Sequence, residues 1–337
     1  MDAMSKRERL QAAFRGEPVD RPPVALWRHW PGDDQRAEDL ARAHLDFQRQ
    51  YDFDFIKVTP DSSYSVEDWG VRTEYLGNTE GTREYRHYPV RSPEDWARLE
   101  VLDPRRGALG RQLRCLELIA QGVGEEVPFI QTIFNPLSVA KHLAGEERLR
   151  LHLRRYPEAL RVGLEAITET SVRFVGEVLR VGAAGIFFAV QHAQYGLLSA
   201  EEYRLFGRPY DLRVLAAAQG AWFNLLHLHG SEVMFDLLAD YPVQAINWHD
   251  REASPSLAEA LGRFSGAVCG GLRQWETMVR GTPEDIHAEA AEALRQTGGR
   301  RFILGTGCVT PIVAPIRNLR AARQAVEKRF TDAPSGA

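Results

Sequence analysis

The sequence predicts a single (β/α)₈ (TIM) barrel that spans residues 1–337. Three observations predict it. Eight short β-type segments alternate with helical segments, as is typical of a parallel sheet covered by helices. Most of these segments are continuously apolar, which is expected for strands that are buried on both faces. Polar or titratable residues follow nearly every one of them, and barrels carry their functional groups at the carboxyl ends of the strands.

The predicted strands are separated by helices with recognisable ends. The strands cover residues 24–27, 53–60, 128–134, 185–190, 222–230, 245–248, 265–271 and 301–308. Ser5 with Glu8 and Ser199 with Glu202 have capping-box spacing and predict helix starts. A doubly wound open sheet is the alternative fold, but no Gly-x-Gly-x-x-Gly motif follows the first strand.

Residues 71–110 break the alternation between the second and third strands. A Gly77-Asn78 turn lies among β-favouring residues, and Ser92-Pro93 can begin a short helix. We therefore predict an excursion with a small hairpin and a helix. Residues 331–337 are expected to form a frayed tail.

The composition excludes several classes of function. With 44% apolar residues, 26% charged residues and a net charge of −4, the chain is of ordinary globular type and has no basic field for nucleic acid. It has no apolar run of membrane-spanning length, and we expect no signal peptide because residues 1–10 are charged and lack an apolar region. Three scattered cysteines do not make a disulfide framework. We expect a cytoplasmic protein that binds a small-molecule substrate and neither nucleic acid nor membrane, and a homodimer is the oligomer considered.

The strand ends predict a metal site. His227 and His229 close the fifth strand, and strand residues i and i+2 point to the same side. Cys308 closes the eighth strand. Two imidazoles and one thiolate suit zinc or another divalent metal and leave a fourth position open. The alternatives are histidines bonded to nearby carbonyls and a cysteine that packs as a small apolar residue.

Further polar residues near strand ends are candidate catalytic and substrate-binding groups. Asp61 and His249 are the catalytic candidates, although Asp61 could instead cap its own turn and His249 could join a surface ion network. Arginines are suited to binding carboxylates. The substrate-binding candidates are Arg28, His29, Tyr64, Asn135, His192 and Arg273.

Three motifs resemble the uroporphyrinogen decarboxylase superfamily. They are residues 21–28 (Arg-Pro-Pro-Val-Ala-Leu-Trp-Arg), 88–96 (Tyr-Pro-Val-Arg-Ser-Pro-Glu-Asp-Trp) and 303–307 (Ile-Leu-Gly-Thr-Gly). The resemblance covers nearly the whole chain and implies a barrel, with Arg28 as the first substrate arginine and Asp61 as the catalytic aspartate. Other porphyrinogen-binding positions depart from the decarboxylase pattern: its second arginine falls on Gly32, its pocket tyrosine on His142 and its late histidine on Thr306.

The metal motif is similar to that of the superfamily's methyltransferases, which pass a methyl group between a corrinoid protein and a thiol. Their zinc ligands lie as His-x-Cys at the fifth strand and Cys near the eighth; here His229 replaces the middle cysteine. This resemblance implies zinc that activates a nucleophile. A corrinoid would lie on a partner protein, because the chain lacks the Asp-x-His-x-x-Gly corrinoid signature. Metal-free decarboxylation through Arg28 and Asp61, or non-catalytic binding of a tetrapyrrole or corrinoid, are the alternatives.

Overall fold

Nine strands and twelve α-helices make up the computed structural model, which describes residues 3–327. The strands are β1 (Ile56–Val58), β2 (Arg72–Glu74), β3 (Glu84–His87), β4 (Phe129–Phe134), β5 (Gly185–Val190), β6 (Leu225–Leu228), β7 (Ala245–Trp248), β8 (Ala267–Leu272) and β9 (Phe302–Thr306). The predicted tail at 331–337 lies outside the described residues.

The helices lie mainly between successive strands. They are α1 (Lys6–Arg15), α2 (Ala37–Tyr51), α3 (Gly107–Val123), α4 (Pro136–Ala144), α5 (Glu146–Arg155), α6 (Pro157–Arg180), α7 (Ala200–Phe206), α8 (Arg208–Ala217), α9 (Phe235–Leu238), α10 (Leu257–Leu261), α11 (Pro283–Thr297) and α12 (Ile316–Gln324). The predicted capping boxes at Ser5 and Ser199 are confirmed. Within residues 3–327, none of the helices is both long enough and apolar enough to cross a membrane.

Seven of the strands form one parallel sheet in the order β1-β4-β5-β6-β7-β8-β9. Every residue of β5, β6, β7 and β8 is buried, which explains why these segments are apolar apart from His227 and Asn247. The sheet order follows the chain order because each connection returns to the neighbouring position. The prediction is therefore confirmed for a parallel sheet covered by helices and for seven of its strands.

The predicted first strand, residues 24–27, is not a regular strand. Val24 makes a single parallel bridge with Leu304, and the Ala25 amide donates to the Leu304 carbonyl at 3.1 Å. The Val24 amide donates a hydrogen bond to the Asp54 carboxylate at 2.8 Å, and Pro23 has no amide hydrogen to donate. The ladder with β9 therefore cannot begin before Val24, and on the opposite side a carboxylate takes the Val24 amide, so the sheet has seven regular strands where eight were predicted.

The segment between β1 and β4 departs from the βα alternation. β2 and β3 pair in antiparallel fashion, with a register irregularity at Arg72 and Thr73. Two 3₁₀ helices, Glu67–Trp69 and Pro93–Arg98, flank this pair, and the second follows the Ser92-Pro93 start. This segment contributes Tyr85 to the wall of the central cavity.

The strand register positions the functional side chains. His227 is paired with Asn247 and Leu228 with Trp248, so the residues that follow β6 and β7 emerge side by side. β9 lies two strands further along the same sheet edge. The sheet therefore brings the ends of β6, β7 and β9 to one surface.

Candidate metal centre

Four side chains converge at the carboxyl ends of β6, β7 and β9. His227, His229, His249 and Cys308 each offer one ligand atom, and these atoms all lie within 4.8 Å of one another. The Cys308 sulfur is 3.7 Å from His229 Nδ1. The ring centroids of His229 and His249 are 5.4 Å apart. The structure thus brings together the three predicted ligands and adds His249, which was predicted as a catalytic group.

The orientation of His227 is set by Asn247. The Asn247 side-chain amide donates to the carbonyls of Cys269 and Thr306 at 2.8 and 3.1 Å, which leaves its Oδ1 atom as an acceptor. His227 Nδ1 lies 2.7 Å from that oxygen and must be the donor. The lone pair of His227 is therefore on Nε2. Metal-binding histidines are oriented by outer contacts of this kind.

Two imidazole nitrogens at this cluster have no hydrogen-bond partner among the described residues. They are His227 Nε2 and His249 Nε2, and both atoms are buried. A buried polar atom without a partner costs free energy, so native structures usually provide one. A divalent metal ion between these nitrogens and the Cys308 sulfur would supply it, and the imidazole and thiol donors fit such an ion.

The protonation states of the cluster agree with metal binding. Burial lowers the pKa of His227 well below its ordinary value and that of His229 to about 4, so both imidazoles are neutral at pH 7. Burial also lowers the pKa of His249. Burial raises the pKa of the Cys308 thiol to about 11. Metal ligands must be neutral imidazole and thiolate, so an ion would have to displace one proton, from Cys308.

A cavity of about 560 Å³ opens next to the cluster. Aromatic rings form part of its wall: Phe187 stacks on His227 with ring centroids 5.2 Å apart, and Tyr85 stacks on His142 at the same separation. All four candidate ligands line this cavity, and so does His29. Its size suits a small-molecule ligand.

Two lysines line the cavity without a carboxylate partner in the described part of the chain. Lys57 Nζ donates to Thr59 Oγ1 at 3.2 Å and lies 4.5 Å from the centre of the Phe187 ring. Burial lowers the pKa of Lys57 to about 7. Lys141 Nζ donates to Gln191 Oε1 at 3.4 Å, and burial also lowers its pKa. Neither ammonium group has a carboxylate oxygen within 4.0 Å, whereas Lys6 is paired with Asp52.

Sequence reasoning missed these lysines and the role of Asn247. The sequence contains a signal for two of these three residues. Lys57 interrupts an apolar strand segment, and Asn247 interrupts another. Charged or amide side chains inside fully buried strands are rare unless they have a specific partner. Lys141 gave no such signal because it lies on a helix.

Asp61 and Tyr64 lie behind the cavity wall. The Asp61 side chain is buried and accepts hydrogen bonds from the backbone amide of Ser63, at 2.8 Å, and from its hydroxyl group. Burial raises the pKa of Asp61. Its observed contacts are therefore those of the turn-capping alternative. The Tyr64 hydroxyl donates to the Thr132 carbonyl at 2.5 Å.

The remaining predicted substrate residues also have partners within the fold. Asn135 caps α4 and donates to Asp211 at 2.9 Å. The other three have ionic or aromatic partners: His192 Nε2 lies 3.1 Å from Glu146, Arg273 is paired with Glu289, and Arg28 lies over Trp30. Of the six predicted substrate residues, only His29 is brought to the cavity.

A comparison with known families identifies the chain's relatives. The family model described as uroporphyrinogen decarboxylase (URO-D) matches residues 5–329. The chain belongs to the URO-D family. The resemblance of its sequence motifs to this family is confirmed, and the relatives include the methyltransferase branch.

Two curated proteins and one solved structure illustrate the similarity. The chain is 23% identical over 335 residues to the methylcobamide:CoM methyltransferase MtbA of Methanosarcina mazei, covering 95% of this chain and 97% of that protein. It is 27% identical over 237 residues to the uroporphyrinogen decarboxylase of Syntrophotalea carbinolica, covering 67% of each. The solved structure of a methyltransferase from Methanosarcina mazei superimposes with a TM-score of 0.85 at 21% identity, covering 96% of this chain and 98% of that one. This structural similarity supports the α/β fold.

Proposed function

We propose that this URO-D family member is a metal-dependent methyltransferase that passes a methyl group between a thiol and a corrinoid held by a partner protein. The observation that carries the proposal is the cluster of His227, His229 and Cys308 beside an open cavity, in which the buried His227 Nε2 atom has no hydrogen-bond partner among residues 3–327. The relative of Methanosarcina mazei that is named a methylcobamide:CoM methyltransferase supports the class of reaction.

The three predicted ligands would hold zinc or another divalent ion of similar ligand preference. When bound, such an ion lowers the pKa of a coordinated thiol and so supplies a thiolate nucleophile near neutral pH. Replacing the cysteine of the family pattern by His229 exchanges a thiolate for a neutral imidazole, which makes the ligand set less negative by one charge. We expect a more Lewis-acidic centre as a result.

The residues around the cluster would bind and orient the acceptor. Asn247 holds His227 in the tautomer that presents Nε2. Lys57 and Lys141 are ammonium groups without carboxylate partners in residues 3–327, and an anionic group on the acceptor would provide one. Phe187 packs against both Lys57 and His227, so one aromatic ring adjoins both the ammonium group and a candidate metal ligand. His29 completes the substrate-facing set.

The catalytic roles of Asp61 and His249 and the substrate roles of Arg28, Tyr64, Asn135, His192 and Arg273 stay predictions from the sequence. So do a cytoplasmic location and a homodimer. A corrinoid would have to be presented by a separate protein, since the sequence contains no Asp-x-His-x-x-Gly signature. The methyl group that the corrinoid donates would enter through the cavity that the four candidate ligands line.

Elemental analysis of the purified chain tests this proposal. We expect one divalent metal ion per chain in the wild type, loss of the ion in His227→Ala and Cys308→Ala, and retention in Cys115→Ala. Cys115 is a buried cysteine of α3 and serves as the matched control. With methylcobalamin as donor and 2-mercaptoethanol as acceptor, methyl transfer should follow metal content across these variants.

Two results would reject the proposal. One is a wild-type protein without stoichiometric metal; decarboxylation of a carboxylated substrate by that protein would then favour the metal-free alternative. The other is full metal retention in His227→Ala. Binding of methylcobalamin without turnover of any methyl donor would favour the non-catalytic alternative.

A further inference from the structure

We infer that His249 is a fourth protein ligand of this centre and the one that the incoming acceptor displaces. The inference rests on the proposed function and extends it, since the sequence predicts only three ligands. It is argued from the position of His249, from the surroundings of its two ring nitrogens and from the way its side chain is held.

The position of His249 comes from its place directly after β7. Its ring centroid is 6.2 Å from that of His227 and 5.4 Å from that of His229. The loop after β9 approaches it closely: a Cβ atom on Gly307 would lie 2.7 Å from the Cα atom of His249. Glycine at 307 therefore allows the neighbouring Cys308 to reach the same cluster.

The two ring nitrogens of His249 have different surroundings, as those of His227 do. His249 Nδ1 faces the Glu252 carboxylate at 3.8 Å, and its buried Nε2 atom has no partner among residues 3–327. In His227, Nδ1 faces Asn247 and Nε2 is likewise without a partner. An oxygen atom near one ring nitrogen and no protein partner on the other is the arrangement that metal-binding histidines show, although for His249 the oxygen lies beyond hydrogen-bond distance.

His249 is held less firmly than His227. The contact from His227 to Asn247 is 2.7 Å long and ends on a fully buried side chain. The contact from His249 to Glu252 is 3.8 Å long, and the Glu252 side chain is 52% exposed. His227 also lies within β6, whereas His249 lies in the turn that follows β7. The amide of His229, in turn, donates to the Val190 carbonyl of β5 at 2.9 Å, so His249 can move at a lower cost in fold stability than either of the two histidines at the end of β6.

This difference gives His249 its role. A tetrahedral centre with four protein ligands is closed, whereas a catalytic centre needs one position for substrate. A thiol acceptor that enters the cavity must replace one of the four side chains. His249 and Glu252 both line the cavity, so the most weakly held of the three histidines is open to the arriving acceptor.

X-ray absorption spectroscopy of the zinc-loaded full chain tests the inference by counting ligands. We expect three imidazole nitrogens and one sulfur in the wild type, and one imidazole fewer in His249→Ala with metal still bound at one per chain. His142→Ala, which removes a cavity-lining histidine outside the cluster, should give the wild-type count. Adding 2-mercaptoethanol to the wild type should replace one imidazole by a second sulfur.

Affinity for the thiol provides a second measurement. His249→Ala should bind 2-mercaptoethanol about tenfold more tightly than the wild type, because no ligand has to leave before the thiol binds. Glu252→Gln should shift affinity in the same direction by a smaller factor, and it tests the inference even if His249→Ala does not fold.

The outcomes distinguish this inference from the proposed function. A metal-loaded His249→Ala protein with the wild-type imidazole count would overturn the inference alone. So would a thiol that adds a sulfur ligand without loss of an imidazole. A wild type that binds no metal would overturn both.

Discussion

The Nδ1 atom of His227 lies 2.7 Å from the Oδ1 atom of Asn247, and this contact determines which nitrogen of the imidazole faces the candidate metal cluster. The Asn247 amide group is itself held by two backbone carbonyls, of Cys269 and Thr306. A side chain in β7 therefore fixes the ligand in β6 and is fixed in turn by the end of β9. The geometry of the centre is built into the sheet.

Replacing Asn247 should weaken metal binding without removing a ligand. We expect Asn247→Ala to lower zinc affinity about 10- to 100-fold, because His227 loses the acceptor that fixes its tautomer and orientation. Competition with a chromophoric chelator measures the affinity. Asn224→Ala is the matched control, since Asn224 is also a buried, hydrogen-bonded asparagine but lies at the opposite end of β6. Equal losses of affinity in the two variants would contradict the role assigned to Asn247.

Removing the charge of Lys57 should impair binding of an anionic acceptor selectively. We expect Lys57→Met to raise the KM for 3-mercaptopropionate about tenfold, because the carboxylate loses a buried cation as its partner. The KM for the neutral 2-mercaptoethanol should stay close to the wild-type value. Lys141→Met should act in the same direction, and Lys6→Met, on α1 and outside the cavity, should have no effect on either acceptor. An equal rise for the anionic and neutral thiols would contradict anion binding.

Lys57 should also make stability depend on pH. Burial lowers its pKa to about 7, whereas a lysine in an unfolded chain titrates near pH ~10.4. Between these values the unfolded state binds more protons, so the Lys57 contribution to the free energy of unfolding rises with pH, by about 1.4 kcal/mol per pH unit. Below pH ~7 both states are protonated and the cost of burying the cation is present in full.

Urea unfolding of the metal-free protein at pH 7 and pH 9 measures this contribution. From pH 7 to pH 9 the wild type should gain about 2–3 kcal/mol relative to Lys57→Met. Burial also raises the pKa of Cys308 to about 11, which lowers stability with rising pH from the unfolded-state value of ~8.5 upward, but this effect is common to both proteins and cancels in the difference. Lys6→Met should follow the wild type. Parallel pH profiles of the wild type and Lys57→Met would show that Lys57 keeps its proton in the native state.

The sequence predicts what depends on local patterns. Continuous apolar runs revealed seven strands because these strands are covered on both faces, and the i, i+2 spacing of His227 and His229 indicated a shared direction. The sequence predicts His249 as a catalytic group but does not predict its place in the metal cluster, because its proximity to the other two histidines depends on the register between β6 and β7. Long-range register of this kind has no local sequence signal.

The predicted first strand shows a second limit of prediction from sequence patterns. Residues 24–27 have the apolar pattern of a buried strand, but the Asp54 side chain competes with a neighbouring strand for the backbone amide of Val24. The Asp54 carboxylate takes the Val24 amide that a strand ladder would use. It also binds the guanidinium groups of Arg9 and Arg21, at 2.7 Å each. Apolar periodicity carries no information about such a contact between residues that are distant in the chain.

Asp54 should consequently be one of the main determinants of stability. Its side chain is fully buried, and those of Arg9 and Arg21 are only 7% and 14% exposed. Asp54→Ala would leave two largely buried cations and the Val24 amide without this partner, so we expect the free energy of unfolding to fall by about 3–5 kcal/mol.

Asp46→Ala removes an exposed ion pair with Arg49 on α2 and should cost less than about 1 kcal/mol. Urea unfolding at pH 7 compares the two variants, and equal losses would mean that the buried cations find other partners. Amide hydrogen exchange adds a local measure: protection of Ala25 and Leu304, whose amides connect residues 23–25 to β9, should fall in Asp54→Ala and persist in Asp46→Ala.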